Sequence, residues 1–159
     1  MADTGARHTH PILEQDHASR WLGIDVVDLA DGHAIITMRL RPDMLNGFGI
    51  AHGGMVFALA DSAFALACNP IGETDTITVA SGADVTFLAS AHPGDLLTAT
   101  ANRRASAGRS GLYDISVSAE NENGTRAIAE FRGRSRTIPN PQLAKPSSAA
   151  VTTTEKSLP

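Results

Sequence analysis

A chain of 159 residues, 42% hydrophobic and 19% charged, is long enough for one domain with its own hydrophobic core. Its net charge of −4 argues against a general nucleic-acid or membrane-surface binder, and a single cysteine, Cys68, excludes an intrachain disulfide framework. The polar start MADTGARHTHP has no apolar run of signal-peptide length and no stretch reaches membrane-spanning length, so a soluble, cytoplasmic protein is expected.

Ile12 to Leu22 reads as a short amphipathic helix, within an N-terminal segment over 1–22. Two strands follow, Gly23 to Leu29 and Ala34 to Leu40, the second with Ala34, Ile36, Met38 and Leu40 on one face. Asp31-Gly32 between them predicts a tight type I′ hairpin turn, with positive φ at both central residues. Arg41 to Gly54 is loop. Met55 to Cys68 is Ala- and Leu-rich, free of Gly and Pro, and apolar on nearly every side, which predicts a helix buried all round. Asn69-Pro70 stops it.

The remaining elements are strands. Thr76 to Phe87 carries Ile77, Val79, Ala83, Val85 and Phe87 on one parity. Asp95 to Arg103 follows a Pro93-Gly94 turn, and Arg103 to Gly111 reads as a basic, flexible hairpin loop. Leu112 to Glu120 points Tyr113, Ile115, Val117 and Ala119 inward. Asn123-Gly124-Thr125, a glycosylation sequon by pattern, is better read as a turn. Arg126 to Ile138 sets Ala127, Ala129 and Phe131 against Glu130, Arg132, Arg134 and Arg136. The last three strands should form an antiparallel meander. The Pro-, Ser- and Thr-rich stretch over 139–159 reads as a disordered tail. The pattern is thus α+β: a long central helix with an antiparallel sheet wrapped around it, in a domain over 23–138.

Asp61 is the conspicuous residue. It is a lone carboxylate in an apolar helix, and its neighbours at three and four positions, Phe57, Ala58, Phe64 and Ala65, offer no pairing partner. Either it faces solvent or a polar subunit contact, or it is functional with a pKa raised by desolvation. The second feature is Asn46-Gly47-Phe48-Gly49-Ile50-Ala51-His52-Gly53-Gly54, which leads into the helix. Unpaired N–H groups at a helix start, with glycines that admit close approach, suit an oxyanion. The loop is not a nucleotide-binding P-loop, because no Lys-Ser/Thr follows.

Spacing links the two. Gly53 and Asp61 are eight residues apart, roughly 12 Å along a helix axis. A reacting carbonyl should lie about 3 Å from both its oxyanion donor and its attacking group. One copy of the helix cannot supply both, whereas two antiparallel copies can, so a two-fold dimer with shared active sites is expected. His52 is a candidate to bond substrate or to order the loop. His8, His10, His17, His33 and His92 lack second-ligand spacing, so no metal is expected. Cys68 reads as core, and Ser62 lacks a nucleophile-elbow context.

Leu45-Asn46-Gly47, His52-Gly53-Gly54, Phe57, Leu59-Ala60-Asp61, Ala63-Phe64-Ala65 and Ala67-Cys68-Asn69 together resemble the PaaI group of hotdog-fold thioesterases, within the 4-hydroxybenzoyl-CoA thioesterase-like superfamily. The similarity continues through Gly23-Ile24-Asp25, Thr86-Phe87-Leu88, Gly94-Asp95, Gly111 to Ile115 and Phe131-Arg132-Gly133. The resemblance implies a hotdog fold and hydrolysis of acyl-CoA, as in phenylacetate degradation. It implies no separate cofactor, coenzyme A being part of the substrate, and a homodimer within a homotetramer. It assigns Asp61 as nucleophile or general base, Gly53 as the N–H that polarises the thioester carbonyl, and His52 and Asn46 as supporting residues. Further candidate contacts for substrate and coenzyme A are Phe48, Gly54, Ser62, Gly82, Arg103, Arg109, Ser110 and Gly111, the last four on the basic 103–111 stretch, which could hold an anionic tail. The Arg-Pro common in the family is replaced by Ala89-Ser90, for which Arg103, Arg104 or Arg109 are candidates to compensate. Phe48, Phe57 and Phe64 suggest an aromatic acyl group, unless they are core. The alternatives within the fold are an enoyl-CoA hydratase or dehydratase using His52 and Asp61, and a non-catalytic acyl-CoA binding protein.

Overall fold

The structure, a computed structural model, describes residues 9–143. Helices α1 (His17–Leu22) and α2 (Gly53–Cys68) and strands β1 (Asp25–Ala30), β2 (His33–Arg39), β3 (Thr76–Phe87), β4 (Leu96–Ala107), β5 (Ser110–Asn121) and β6 (Gly124–Pro139) follow one another along the chain. The strands form one antiparallel sheet in the order β1-β2-β4-β5-β6-β3, and the expected meander is β4-β5-β6. The sheet curls around α2, whose Val56, Leu59, Ala60, Ala63, Phe64, Leu66 and Ala67 are buried. Against them lie Ala34, Ile36 and Met38 of β2, Leu97 and Ala99 of β4, Tyr113, Ile115, Val117 and Ala119 of β5, and Phe131 of β6. That alternation is the period of two that a half-buried strand requires.

Several expectations need correction. The N-terminal helix is broken. A 3-10 turn at Pro11–Glu14 precedes Asp16, whose extended backbone and carboxylate, accepting from Ser19 N–H at 2.9 Å, start α1 afresh. The Asp31-Gly32 turn has positive φ at Gly32 alone, so it is not type I′. The basic loop does not exist as a loop: β4 and β5 pair from Arg103↔Tyr113 out to Ala107↔Ser110, leaving a turn at Gly108-Arg109. A bulge at Ser81, between Ala80↔Ser135 and Gly82↔Arg134, flips the parity of β3. Ala83, Val85 and Phe87 therefore share the inner face with Gly133, Phe131 and Ala129, whereas Ile77 and Val79 point to the outer one. An equivalent irregularity in β6, where Val117↔Ala129 is followed by Ser118↔Ala127, buries Ile128 and turns Ala127 outward.

The long helix is also not covered all round. Gly54, Phe57, Ala58, Asp61 and Ala65 recur at helical spacing along a stripe that the chain's own core leaves incompletely buried. The last part of the expected tail, 144–159, lies outside the described residues; Pro139 still belongs to β6, and Pro141–Leu143 is a 3-10 turn. No helix among the described residues is long and apolar enough to cross a membrane.

Candidate active site

The start of α2 is built by its preceding loop. Asn46 accepts the Phe48 N–H at 2.9 Å on its side-chain oxygen and donates its own N–H to the Ile50 carbonyl at 2.8 Å, folding the glycine-rich segment into a tight turn. His52 caps the helix: its Nδ1 accepts the Gly54 N–H at 3.0 Å, and its carbonyl accepts the Met55 N–H at 2.9 Å. Gly54 is thereby engaged within the cap. Gly53 N–H has no acceptor among the described residues. Gly53 lines a cavity of about 390 Å³ together with Asn46, Ile50, Phe87, Ser90 and Ala91. The Phe87 ring lies across it, so that a Cβ at Gly53 would stand 3.1 Å from the ring Cζ.

Asp61, two turns further on, has no hydrogen-bond or ion-pair partner among the described residues. It borders a cavity of about 230 Å³, roofed by Ile12, Leu13, Ala18 and Leu22 of the N-terminal segment. Burial pushes its carboxyl above the usual range, because apolar surroundings disfavour the charged form. A carboxylate with a raised pKa and no neutralising partner is suited to taking a proton or attacking a carbonyl. Ser62 beside it stands 3.4 Å from Ser19, which bonds Asp16, so this hydroxyl belongs to the contact that seats α1.

The remaining expected contacts divide into four groups. Ser110 and Gly111 line a cavity of about 350 Å³ with Ser81, Arg134 and Ser135, beside Gly82, over which the Arg134 guanidinium lies. Phe87 lies six positions beyond Ser81 in β3, so this cavity is roughly 20 Å from Gly53 along the strand. Phe48 is 89% exposed at the loop tip. Arg103 is committed elsewhere: its guanidinium makes a two-pronged pair with Asp31, at 2.9 and 2.7 Å, and covers Gly32. It is therefore not a free anion holder, a fact hidden from the sequence because the partners are 72 positions apart. Arg104 pairs with Asp114. Arg109 and Arg136 form no ion pair among the described residues, and Arg109 stands in the turn just before Ser110, which pairs with Arg136.

Phe64 is core, buried against Tyr113 and Phe131, and does not line a substrate pocket. Cys68 is core as well; burial pushes its thiol up to about 12, so it holds no thiolate at neutral pH. No three His, Cys, Asp or Glu side chains among the described residues come together as a metal site. The larger cavities, about 510 and 660 Å³, lie at the N-terminal segment and at the 92–96 turn, and contain neither Gly53 nor Asp61. Sequence reading missed Phe87 as a wall of the Gly53 cavity. The strand alternation placed Phe87 inward, and the signal it lacked was that the helix start would sit beneath it.

Comparison with known proteins matches residues 48–125 to the thioesterase superfamily. The chain is 38% identical over 138 residues to acyl-coenzyme A thioesterase PaaI of Escherichia coli, an alignment that covers 87% of this chain and 94% of that protein. The solved structure of the E. coli PaaI protein from the phenylacetic acid degradation operon superposes with a TM-score of 0.73 at 39% identity, over 81% of this chain and 89% of that one. A mutant of the phenylacetic acid degradation protein PaaI of Thermus thermophilus matches with a TM-score of 0.66 at 33% identity, over 74% and 96% of the respective chains. With the single sheet curled around α2, the free Gly53 N–H and the unpaired Asp61, these similarities agree: the chain belongs to the PaaI-type hotdog-fold thioesterases of the thioesterase superfamily.

Proposed function

We propose that this protein hydrolyses acyl-CoA to the free acid and coenzyme A at two sites shared across a two-fold dimer, in the cytoplasm. The observation that carries the proposal is the separation of two unsatisfied groups on one helix. Among the described residues, Gly53 offers an N–H without an acceptor, and Asp61 offers a carboxylate without a partner, eight residues away. That gap of roughly 12 Å suits two antiparallel copies of α2 and defeats one. The partly covered stripe of Gly54, Phe57, Ala58, Asp61 and Ala65 and the edge position of β3, which pairs only with β6 among the described residues, support the same pairing. Further association into a homotetramer completes the proposal.

In this mechanism the thioester oxygen accepts from Gly53 N–H, which stabilises the negative charge that develops in the transition state. Asp61 of the partner subunit takes a proton from the attacking water, or attacks the carbonyl itself and is released by water. The carbon–sulfur bond breaks, and the thiolate leaves and is protonated. Asn46 and His52 hold the loop and the helix start. Arg109, Arg136, Ser110 and Gly111 receive the phosphate-bearing end of coenzyme A, for which two free guanidinium groups are suited. The acyl group is aromatic, of the phenylacetyl type. Two partly exposed rings support this, Phe87 against Gly53 and Phe57 one turn further along α2.

Mixing two inactive variants tests the shared site. Gly53→Pro and Asp61→Asn copies, each inactive alone, should regain about a quarter of wild-type thiol release, since half of the random dimers carry one intact site of two. No recovery after verified subunit exchange refutes the shared site. Binding of acyl-CoA without thiol release by the wild-type protein refutes hydrolysis.

A further inference from the structure

Asp95, at the start of the segment that enters β4, is a carboxylate left 3% exposed. Its Oδ1 accepts from the Asn121 amide at 2.9 Å, and its Oδ2 accepts from the His92 N–H at 2.9 Å and from the Arg126 guanidinium. Burial alone would raise the pKa of this carboxyl; His92, Asn121 and Arg126 outweigh burial and hold it below the usual range. Arg126 also donates to the Ser90 carbonyl through Nε at 3.2 Å and Nη2 at 3.1 Å. One guanidinium thus ties a buried anion to the backbone of a loop.

That loop is the wall of the Gly53 cavity. Leu88, Ala89, Ser90 and Ala91 line it, as does Ile128. Its near end is held by the Ile128 carbonyl, which accepts from Leu88 N–H at 2.8 Å and Ala89 N–H at 3.3 Å. Its far end is held by Arg126. One residue past Ser90, the Ala91 carbonyl accepts the Ala51 N–H at 2.9 Å, two residues before Gly53. Ala91 is buried, so this link has no water to replace it.

We infer that Arg126, seated on Asp95, is a positioning residue: it pins the 88–92 segment, whose Ala91 carbonyl fixes Ala51 and so sets the direction of the Gly53 N–H. The consequence for rate rests on the thioesterase reading; the chain of hydrogen bonds does not. A small misplacement of an oxyanion donor is felt in the chemical step more than in binding, because the charge it meets is that of the transition state.

The test measures two quantities on Arg126→Gln. The Ala51 amide should exchange with solvent about tenfold faster or more, while the Leu88 amide, anchored on Ile128, keeps its protection. The kcat of thiol release should fall about ten- to a hundredfold with little change in KM. Removing Arg126 leaves a buried anion unpaired, so Arg126→Gln/Asp95→Asn, which removes both charges, serves as the second variant with the same expectation. Arg132→Gln, which alters an exposed pair with Asp114 on the outer face of the sheet, should leave both readouts at wild-type values. Unchanged Ala51 exchange in the folded double variant overturns the inference, as does a loss confined to KM. A wild-type protein that releases no thiol refutes the thioesterase reading instead, and the exchange measurement then decides the inference by itself.

Discussion

The Phe87 ring rests on Gly53 so closely that a Cβ there would stand 3.1 Å from ring Cζ, which makes the last residue of β3 a wall of the site that begins α2. A glycine is required for approach to the N–H, and the helix start itself tolerates other backbones. Gly53 is the first helical residue, and His52 before it is extended (φ −66°, ψ 129°), the conformation that a following proline favours.

Gly53→Pro therefore isolates the oxyanion donor. It deletes one N–H at a position where helices accept proline, with the half-exposed Phe87 ring free to swing aside. The expected result is a kcat lower by about 10²–10³-fold with Tm within a few degrees of wild type. Thiol-release kinetics beside a thermal melt check it. Near-full kcat would remove Gly53 from the mechanism.

Asp61→Asn should separate activity from stability. Loss of the carboxylate should lower kcat by about 10²–10⁴-fold. The wild-type carboxyl has a raised pKa in the folded state, so the folded chain binds its proton more tightly than the unfolded chain. The resulting stability is present below the unfolded value of 3.8 and is lost as pH rises through the folded pKa. Asn carries no such loss. The variant should thus be more stable than wild type at neutral pH, with the difference vanishing in acid. Urea unfolding at both pH values decides the point, and a variant less stable at pH 7 would contradict it.

Arg109 and Arg136, without an ion pair among the described residues, should serve binding rather than chemistry. Arg109→Gln/Arg136→Gln is expected to raise KM for an acyl-CoA about tenfold while leaving kcat near wild type. The increase should shrink at high ionic strength, where charge–phosphate attraction is screened. A pantetheine thioester, which lacks the nucleotide phosphates, should show no increase; an equal rise for both substrates would exclude the proposed contact.

Gly133 carries a packing prediction independent of function. It lies under the buried Phe64 ring, and a Cβ there would be 2.8 Å from Cε1 and Cζ. Phe64 is wedged against Tyr113 and Phe131 and has nowhere to turn. Gly133→Ala should therefore destabilise by about 1–3 kcal/mol, read from the denaturation midpoint. A neutral result would mean that the ring shifts without cost.

The sequence determined the elements whose signals are local. Alternation placed Ala34, Ile36 and Met38 of β2 and Tyr113, Ile115 and Val117 of β5 in the core, and Asn69-Pro70 marked where α2 stops. It also singled out Asp61 and Gly53, whose spacing along one helix is what the proposed dimer rests on. Tertiary structure decided what depends on contact between distant segments. The Ser81 bulge reversed the outer half of β3, because register is set by pairing with β6 and a single extra residue flips every later side chain. Arg103 was paired with Asp31, 72 positions away, and Phe87 was brought onto Gly53 by the curl of the sheet. Asp16 restarted a helix that periodicity alone ran through, because a side-chain cap competes with helical continuation. A carboxylate in an apolar helix is visible in the chain as written; which groups stay unpaired around it is a property of the folded contacts.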